Sequence, residues 1–235
     1  MQVGSLDIAL QRKAIKNLHI KVIPPDGLIQ VSAPNHLSDT AIRIAIVQRI
    51  PWIKRQQKDF ANQPRQSARD MVSGESHYLW GQRYRLEVIE RHGKHEVKLK
   101  GNSKLQLFVS AGTSKARSEK LVVEWYRSQL KNRLAAILEN WQKKIGVQVD
   151  DWTVRKMRTK WGSCNPQTKR ININLELAKK PPECLEYILV HELVHLLERH
   201  HNERFVSLMD GYLPNWRLHR DLLKKLPLGH DDWKY

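Results

Sequence analysis

Residues 6–33 alternate apolar and polar groups around Pro24-Pro25-Asp26-Gly27, a pattern that predicts strand, turn and strand. Residues 37–60 follow with apolar groups at helical spacing and Ser38 placed as an N-cap. Pro51 falls inside that helix and is expected to kink or divide it. The polar stretch 62–76 has no period and predicts a loop. From Tyr84 to Ser110 the alternation predicts a β-meander, with turns at "RHGKH" (91–95) and "KGNSK" (100–104). A long amphipathic helix over about 115–145 comes next, with Gly146 suited to its C-terminal cap.

The last ninety residues carry the sharpest patterns. Residues 147–164 and 169–178 read as strands flanking a turn at "NPQT" (165–168). In the second, Ile171, Ile173 and Leu175 face one side and Arg170, Asn172 and Asn174 the other. "KKPPECLEYILVHELVHLLE" (179–198) then opens a helix with proline at its first turn, where it is best tolerated. Residues 202–226 are helical again, interrupted near "DGYLP" (210–214). Strands with one helix, then strands with several helices, predict an α+β fold. The division expected is a β-rich N-terminal region over 1–112 and a second region over 113–235.

Composition narrows the class. A length of 235 residues suits one large or two small domains, 40% apolar residues suit a folded globular chain, and no repeat stands out. No run of eighteen apolar residues exists, which excludes an apolar helical membrane span, and the amino terminus lacks a signal-peptide pattern. Two cysteines, Cys164 and Cys184, make no disulfide framework and point to a cytoplasmic protein. The net charge of +17 is dispersed along the chain and suits attraction to a polyanion, nucleic acid included. Two basic stretches, 49–58 and 154–164, contain an aromatic residue, an arrangement that serves base stacking or core anchoring equally.

Candidate chemistry sits in "LVHELVHLLERHH" (189–201). His191 and His195 are four residues apart, so one turn of helix puts both imidazoles on one face. Leu189, Leu193 and Leu196 take the opposite face and anchor the helix. Two histidines so spaced can share one Zn²⁺, with Glu192 beside them as general base for a metal-activated water. With eleven histidines in the chain, chance placement gives this five-residue pattern in about 3% of such sequences, which favours the metal. A third ligand is needed for a catalytic site with an open fourth position. His201 is preferred; His200 and Glu198 compete for the role.

The segment "MRTKWGSCNPQTKRININLELAKKPPECLEYILVHELVHLLERHHNERF" (157–205) resembles the YgjP-like metallopeptidase family, a branch of the zincin-type metalloproteins. "IKVIPPDGLIQVSAPNHL", "PWI" at 51–53 and "GQRYRLEV" extend the resemblance along the chain. It implies that His191, His195 and His201 bind the metal and that Glu192 is the catalytic glutamate. It implies further a zincin-like core over 113–235, in which the HExxH helix packs under a twisted sheet whose edge strand lies above it. Glu203 follows His201 where relatives more often carry small residues, and it adds a carboxylate near the metal.

Zinc-dependent hydrolysis of a peptide bond is the leading expectation. His219, Tyr212 and Arg217 are candidate oxyanion donors, and Arg170, Asn172 and Asn174 line the cleft if their strand is the edge strand. An extended peptide could then pair with it. A second expectation keeps the metal and changes the substrate to a nucleotide phosphoanhydride, with Lys156, Arg158 and Lys160 neutralising phosphates. The absence of a Gly-rich phosphate loop counts against it. A third is a nucleic-acid-associated protein whose metal is structural, for which Cys164 is the candidate fourth ligand. Arg158, Lys160, Asn172 and Asn174 are thus the expected substrate-contacting residues.

Overall fold

A computed structural model describes residues 1–23, 26–62, 69–157 and 160–226. The architecture is mixed α+β, and contacts divide it into two compact units, one within Met1–Gln66 and one within Ser67–Gly229. The boundary expected after residue 112 therefore moves to an earlier point. The hairpins over 76–109 belong with the second unit because Leu86, Leu105 and Leu107 share one core with Leu130 and Leu134 of the long helix.

The first unit contains β1 (Gln2–Val3), β2 (Leu6–Lys13), β3 (His19–Ile23), β4 (Leu28–Pro34) and the helix α1 (Asp39–Asn62). Strand order is β1-β2-β4-β3, with β2 and β4 parallel and the outer pairs antiparallel. Ile8, Ile29, Val31 and Ala33 of the sheet bury against Ile42, Ile46 and Ile53 of α1. Ser38 caps that helix, its hydroxyl accepting from the Ala41 amide at 3.2 Å. Pro51 lies inside α1 without dividing it. Its flanking Ile46 and Ile53 are fully buried, so packing of that face holds the helix together across the missing hydrogen bond.

The second unit begins with the same plan. Strands β5 (Ser76–Leu79), β6 (Gln82–Glu90), β7 (Glu96–Lys100) and β8 (Lys104–Val109) precede the helix α2 (Lys115–Ile145). Their order is β5-β6-β8-β7, and β6 and β8 are parallel. The expected meander is thereby corrected: β8 lies between β6 and β7. Burial explains it, since β8 buries Leu105, Leu107 and Val109 and needs partners on both edges, whereas "EVKLK" of β7 is largely exposed and suits an edge. Both units thus run strand, two-residue turn, strand, hairpin, capped helix, a repeat that the sequence did not announce. Ser114 caps α2, and Gly146 ends it in the left-handed conformation at φ 76°.

Three strands follow, β9 (Asp151–Arg155), β10 (Gly162–Asn165) and β11 (Arg170–Asn174), in the order β10-β11-β9. β11 pairs antiparallel with β10 and parallel with β9. The strand of Arg170, Asn172 and Asn174 is therefore central, because both its backbone edges are occupied; β10 and β9 are the edge strands, and β10 packs on the helix that follows. A 3₁₀ turn over Leu175–Lys179 leads into α3 (Pro182–Val194), followed by α4 (Glu203–Tyr212) and α5 (Trp216–Lys225). Among the described residues no helix is long and apolar enough to cross a membrane, and both cysteines are free.

Candidate metal centre

Helix α3 starts with Pro182 at its first turn and buries Leu185, Leu189 and Leu193 completely. The helix ends at Val194, a turn earlier than its apolar period suggests, and His195 is its C-cap. Tight turns then carry the chain away from the helix, with Leu196 bonding to Leu193 and Leu197 to Val194. The Glu198 carboxylate accepts from the His200 amide at 3.0 Å, which closes the turn and commits that side chain to the backbone. Asn202 caps α4 by accepting from the Phe205 amide at 3.0 Å. The residue between these two anchors is His201, and it is turned back toward α3.

His191, His195 and His201 converge, each offering one ligand atom, with all three atoms within 4.8 Å of one another. The Nε2 atoms of His191 and His201 stand 3.0 Å apart. Two nitrogens at about 2.0–2.1 Å from one tetrahedral ion would lie roughly 3.3 Å apart, so the pair is spaced for a shared cation. The three ring centroids are 4.7 to 4.9 Å from each other and 4.7 to 4.9 Å from the Phe205 ring, which closes the apolar side of the cluster. His195 Nδ1 lies 3.1 Å from the Glu198 carbonyl, a contact that orients the ring and leaves Nε2 to face the other two histidines. Burial, then the neighbouring His195 and His201, push the His191 imidazole down to about 3, so it stays neutral with a lone pair to donate. Such a trio of imidazoles fits a divalent metal. Neither His200 nor Glu198 joins it.

Glu192, next to His191 in the chain, is buried against β10. A Cβ at Gly162 would stand 2.6 Å from Glu192 Oε1 and 2.9 Å from Ile188 Cγ2. Only glycine permits that approach of strand to helix. Burial pushes the Glu192 carboxyl up to about 8, and the Lys160 ammonium opposes the rise. This glycine was not singled out in the sequence, although "WGSC" contains it; a glycine opening a strand is the signal that pointed there.

The other expected contact residues are dispersed. Arg158 lies outside the described residues. Lys160 is exposed, on the turn that precedes β10. Asn172 bridges neighbouring strands, accepting from Thr153 at 2.8 Å and donating to Ser163 at 3.1 Å. Asn174 is 4% exposed and donates to the carbonyls of Met157 and Lys160, both at 2.8 Å. Arg170 pairs with Asp151 at 2.7 Å. Of the oxyanion candidates, Arg217 pairs with Asp210, Tyr212 donates to the Ile145 carbonyl at 3.4 Å, and His219 lies half-buried on α5. Burial and the Glu192 charge push the Cys164 thiol up to about 12, so it is protonated, and it stands outside the histidine trio. A groove of about 560 Å³ opens beside His201 and is lined by Glu203, Ser207 and Asp210 among others.

A helix-borne histidine pair, a third histidine and a buried glutamate in an α+β chain are the residue set of a metal-dependent hydrolase. The profile of the YgjP-like metallopeptidase domain matches residues 16–226. The chain belongs to the YgjP-like metallopeptidase family. Among solved structures it is similar to the metallopeptidase zymogen abylysin of Pyrococcus abyssi, at 20% identity and a TM-score of 0.36 over 38% of this chain and 90% of that one. It is similar also to the zymogen jannalysin of Methanocaldococcus jannaschii, at 19% identity and a TM-score of 0.34 over 40% of this chain and 97% of that one. No curated protein matches the chain.

Proposed function

We propose that the chain is a zinc peptidase of zincin-like arrangement, with His191, His195 and His201 as metal ligands and Glu192 as general base. The observation that carries this reading is the convergence of three imidazole nitrogens within 4.8 Å beside a buried glutamate. Imidazole donors without thiolate or carboxylate suit zinc among the common divalent ions. Zinc held there supplies a water acidified toward pKa 7 and a polarised carbonyl. Glu192 in its ionised form would accept the proton of such a water on a carboxylate oxygen and return it to the leaving amine. Burial against Gly162 keeps bulk water from that carboxylate and fixes its position. β10 presents an unpaired edge above α3, along which an extended peptide can align by strand addition.

A structural metal would call for a fourth protein ligand, and among the described residues none joins the three histidines. An open fourth position supports the catalytic role. The test is elemental analysis of the purified protein together with hydrolysis of a peptide library with and without chelator. Glu192→Gln should keep about one zinc per chain and lose hydrolysis, because an amide cannot accept the proton. A near-normal rate in that variant would show that Glu192 is not the base.

A further inference from the structure

We propose that Lys160 selects the substrate of this cleft, favouring peptides that place a carboxylate beside the scissile bond, either an acidic side chain or a free C-terminal carboxylate. This inference rests on the peptidase reading above and adds its substrate class.

The backbone of Lys160 is tied to the central strand of its sheet. Asn174, the last residue of β11, donates through Nδ2 to the carbonyls of Met157 and Lys160, both at 2.8 Å. Its Oδ1 accepts from the Met157 amide at 3.4 Å and from the Glu176 amide at 3.2 Å. Its backbone amide donates to the Trp161 carbonyl at 2.9 Å. Capping the 3₁₀ turn accounts for the bond from Glu176 alone. The other four bonds tie Met157, Lys160 and Trp161 to the central strand. Gly162 lies against Glu192, so Lys160 stands two residues from the contact between β10 and the glutamate.

The charge of Lys160 is uncommitted. Its side chain is exposed, and among the described residues it forms no salt bridge. On the other side of the histidines the groove beside His201 carries Glu203 and Asp210. Asp210 is paired with Arg217, so Glu203 is the carboxylate left on the α4 side, opposite in sign to Lys160 before β10. A peptide lying along β10 with a carboxylate near its reacting bond meets the Lys160 ammonium. The same carboxylate turned the other way meets Glu203. Charge complementarity of this kind orients and discriminates substrates more than it strengthens binding overall.

The experiment uses the zinc-loaded full chain and fluorogenic peptides identical except at the positions flanking the scissile bond. Those positions carry Glu, Gln or Lys, and each peptide ends in either a free carboxylate or an amide. The wild type is expected to favour the carboxylate-bearing peptide over its neutral counterpart by about tenfold in kcat/KM, the scale of one charge-assisted contact. Comparing the side-chain and terminal arms identifies the source of the carboxylate. Lys160→Ala should abolish the ratio, Lys160→Arg should retain most of it, and Lys160→Glu should invert it toward the Lys peptides. Zinc content and melting temperature of each variant separate specificity from folding. Equal cleavage of acidic and neutral peptides by the wild type, or an unchanged ratio in Lys160→Glu, overturns the proposal and leaves the peptidase reading standing. Cleavage of none of the peptides by the zinc-loaded wild type overturns both.

Discussion

Gly162→Ala adds one methyl group where the edge strand touches the glutamate-bearing helix. The new Cβ would lie 2.6 Å from Glu192 Oε1, 2.8 Å from Glu192 Cγ and 2.9 Å from Ile188 Cγ2. Ordinary carbon contacts sit at about 3.5–4.0 Å, so three atoms are each too close by roughly 0.6–1 Å. Something must move, and the surroundings limit what can. Glu192 and Ile188 are 5% and 6% exposed, and β10 is pinned to β11 by the pairing of Gly162 with Ile173 and Ser163 with Asn172. If the glutamate yields, its carboxylate leaves the reacting position by most of an ångström, and misplacement on that scale costs about a hundredfold in rate. If the strand yields, overpacking costs about 1–3 kcal/mol. For a domain of this size each kcal/mol lowers the melting temperature by about 2–4 °C.

The two outcomes are separable by measuring kcat/KM on any peptide the wild type cleaves, together with zinc content and thermal melting. Zinc should stay bound, because the methyl group faces Glu192 and not the histidines. A rate loss of at least tenfold, or a clear fall in melting temperature, is expected in the alanine variant. If Gly162→Ala keeps both its rate and its melting temperature, the packing of β10 on Glu192 does not position the base, and the reasoning fails.

His201→Ala should lose most of the zinc while His200→Ala keeps it, measured by elemental analysis, because only the former ring meets the other two. Asn174→Ala should destabilise the chain by about 1–3 kcal/mol, since it strips partners from the Met157 and Lys160 carbonyls and the Glu176 amide. Asn172→Ala, whose partners Thr153 and Ser163 are half-exposed, should cost less than about 1 kcal/mol in the same denaturation assay. Acid should destabilise the fold through His77, whose imidazole burial, and after it the Arg69 charge, hold below its ordinary 6.5. Unfolded chains take up that proton near pH 6.5 and the folded chain does not, so this contribution is intact above 6.5 and is lost as pH falls through the lower folded value, by up to about 1.4 kcal/mol per unit. Melting curves of His77→Gln between pH 7 and 4 should fall less steeply than those of the wild type; parallel curves would remove His77 from the account.

Helices were legible in the sequence because their information is local. The 3.6-residue period, the caps at Ser38 and Gly146 and the proline at the start of α3 all act within a few residues. The same locality put His191 and His195 on one face. It left Glu198 and His200 as rivals to the preferred His201, and the turn closed by the hydrogen bond from the His200 amide to Glu198 is where they part. Strand order was not legible. Alternation tells which residues share a face, but β8 and β11 became central through pairings with segments tens of residues away. With β11 central, the Asn174 side chain bonds to the Lys160 carbonyl ahead of β10, a long-range role that alternation alone does not reveal. The doubled β-sheet plan left little trace beyond "VSAP" at 31–34 and "VSAG" at 109–112, because strand pairing and not residue identity is what repeats.

That doubled plan explains how the metal centre is held. Each unit opens with a two-residue hairpin, joining β1 to β2 and β5 to β6. At Gly4, in the first hairpin, an added Cβ would meet nothing within 4 Å. In the second the turn residues Trp80 and Gly81 both have positive φ, 51° and 82°, as the tight hairpin geometry requires. Their amides donate to the carbonyls of Ala178 and Lys179, at 2.9 and 3.3 Å, and a Cβ at Gly81 would come within 3.0 Å of Pro181. The turn is thus seated on the residue that precedes α3 and fixes where that helix begins. At the other end the Val194 carbonyl and the Glu198 side chain fix where it stops. Above it, Gly162 sets the height of the edge strand over Glu192. The histidines contribute none of these constraints. They occupy positions that backbone hydrogen bonds and two glycines have already determined, which is why a five-residue motif can name the chemistry of this chain but not the cleft in which it acts.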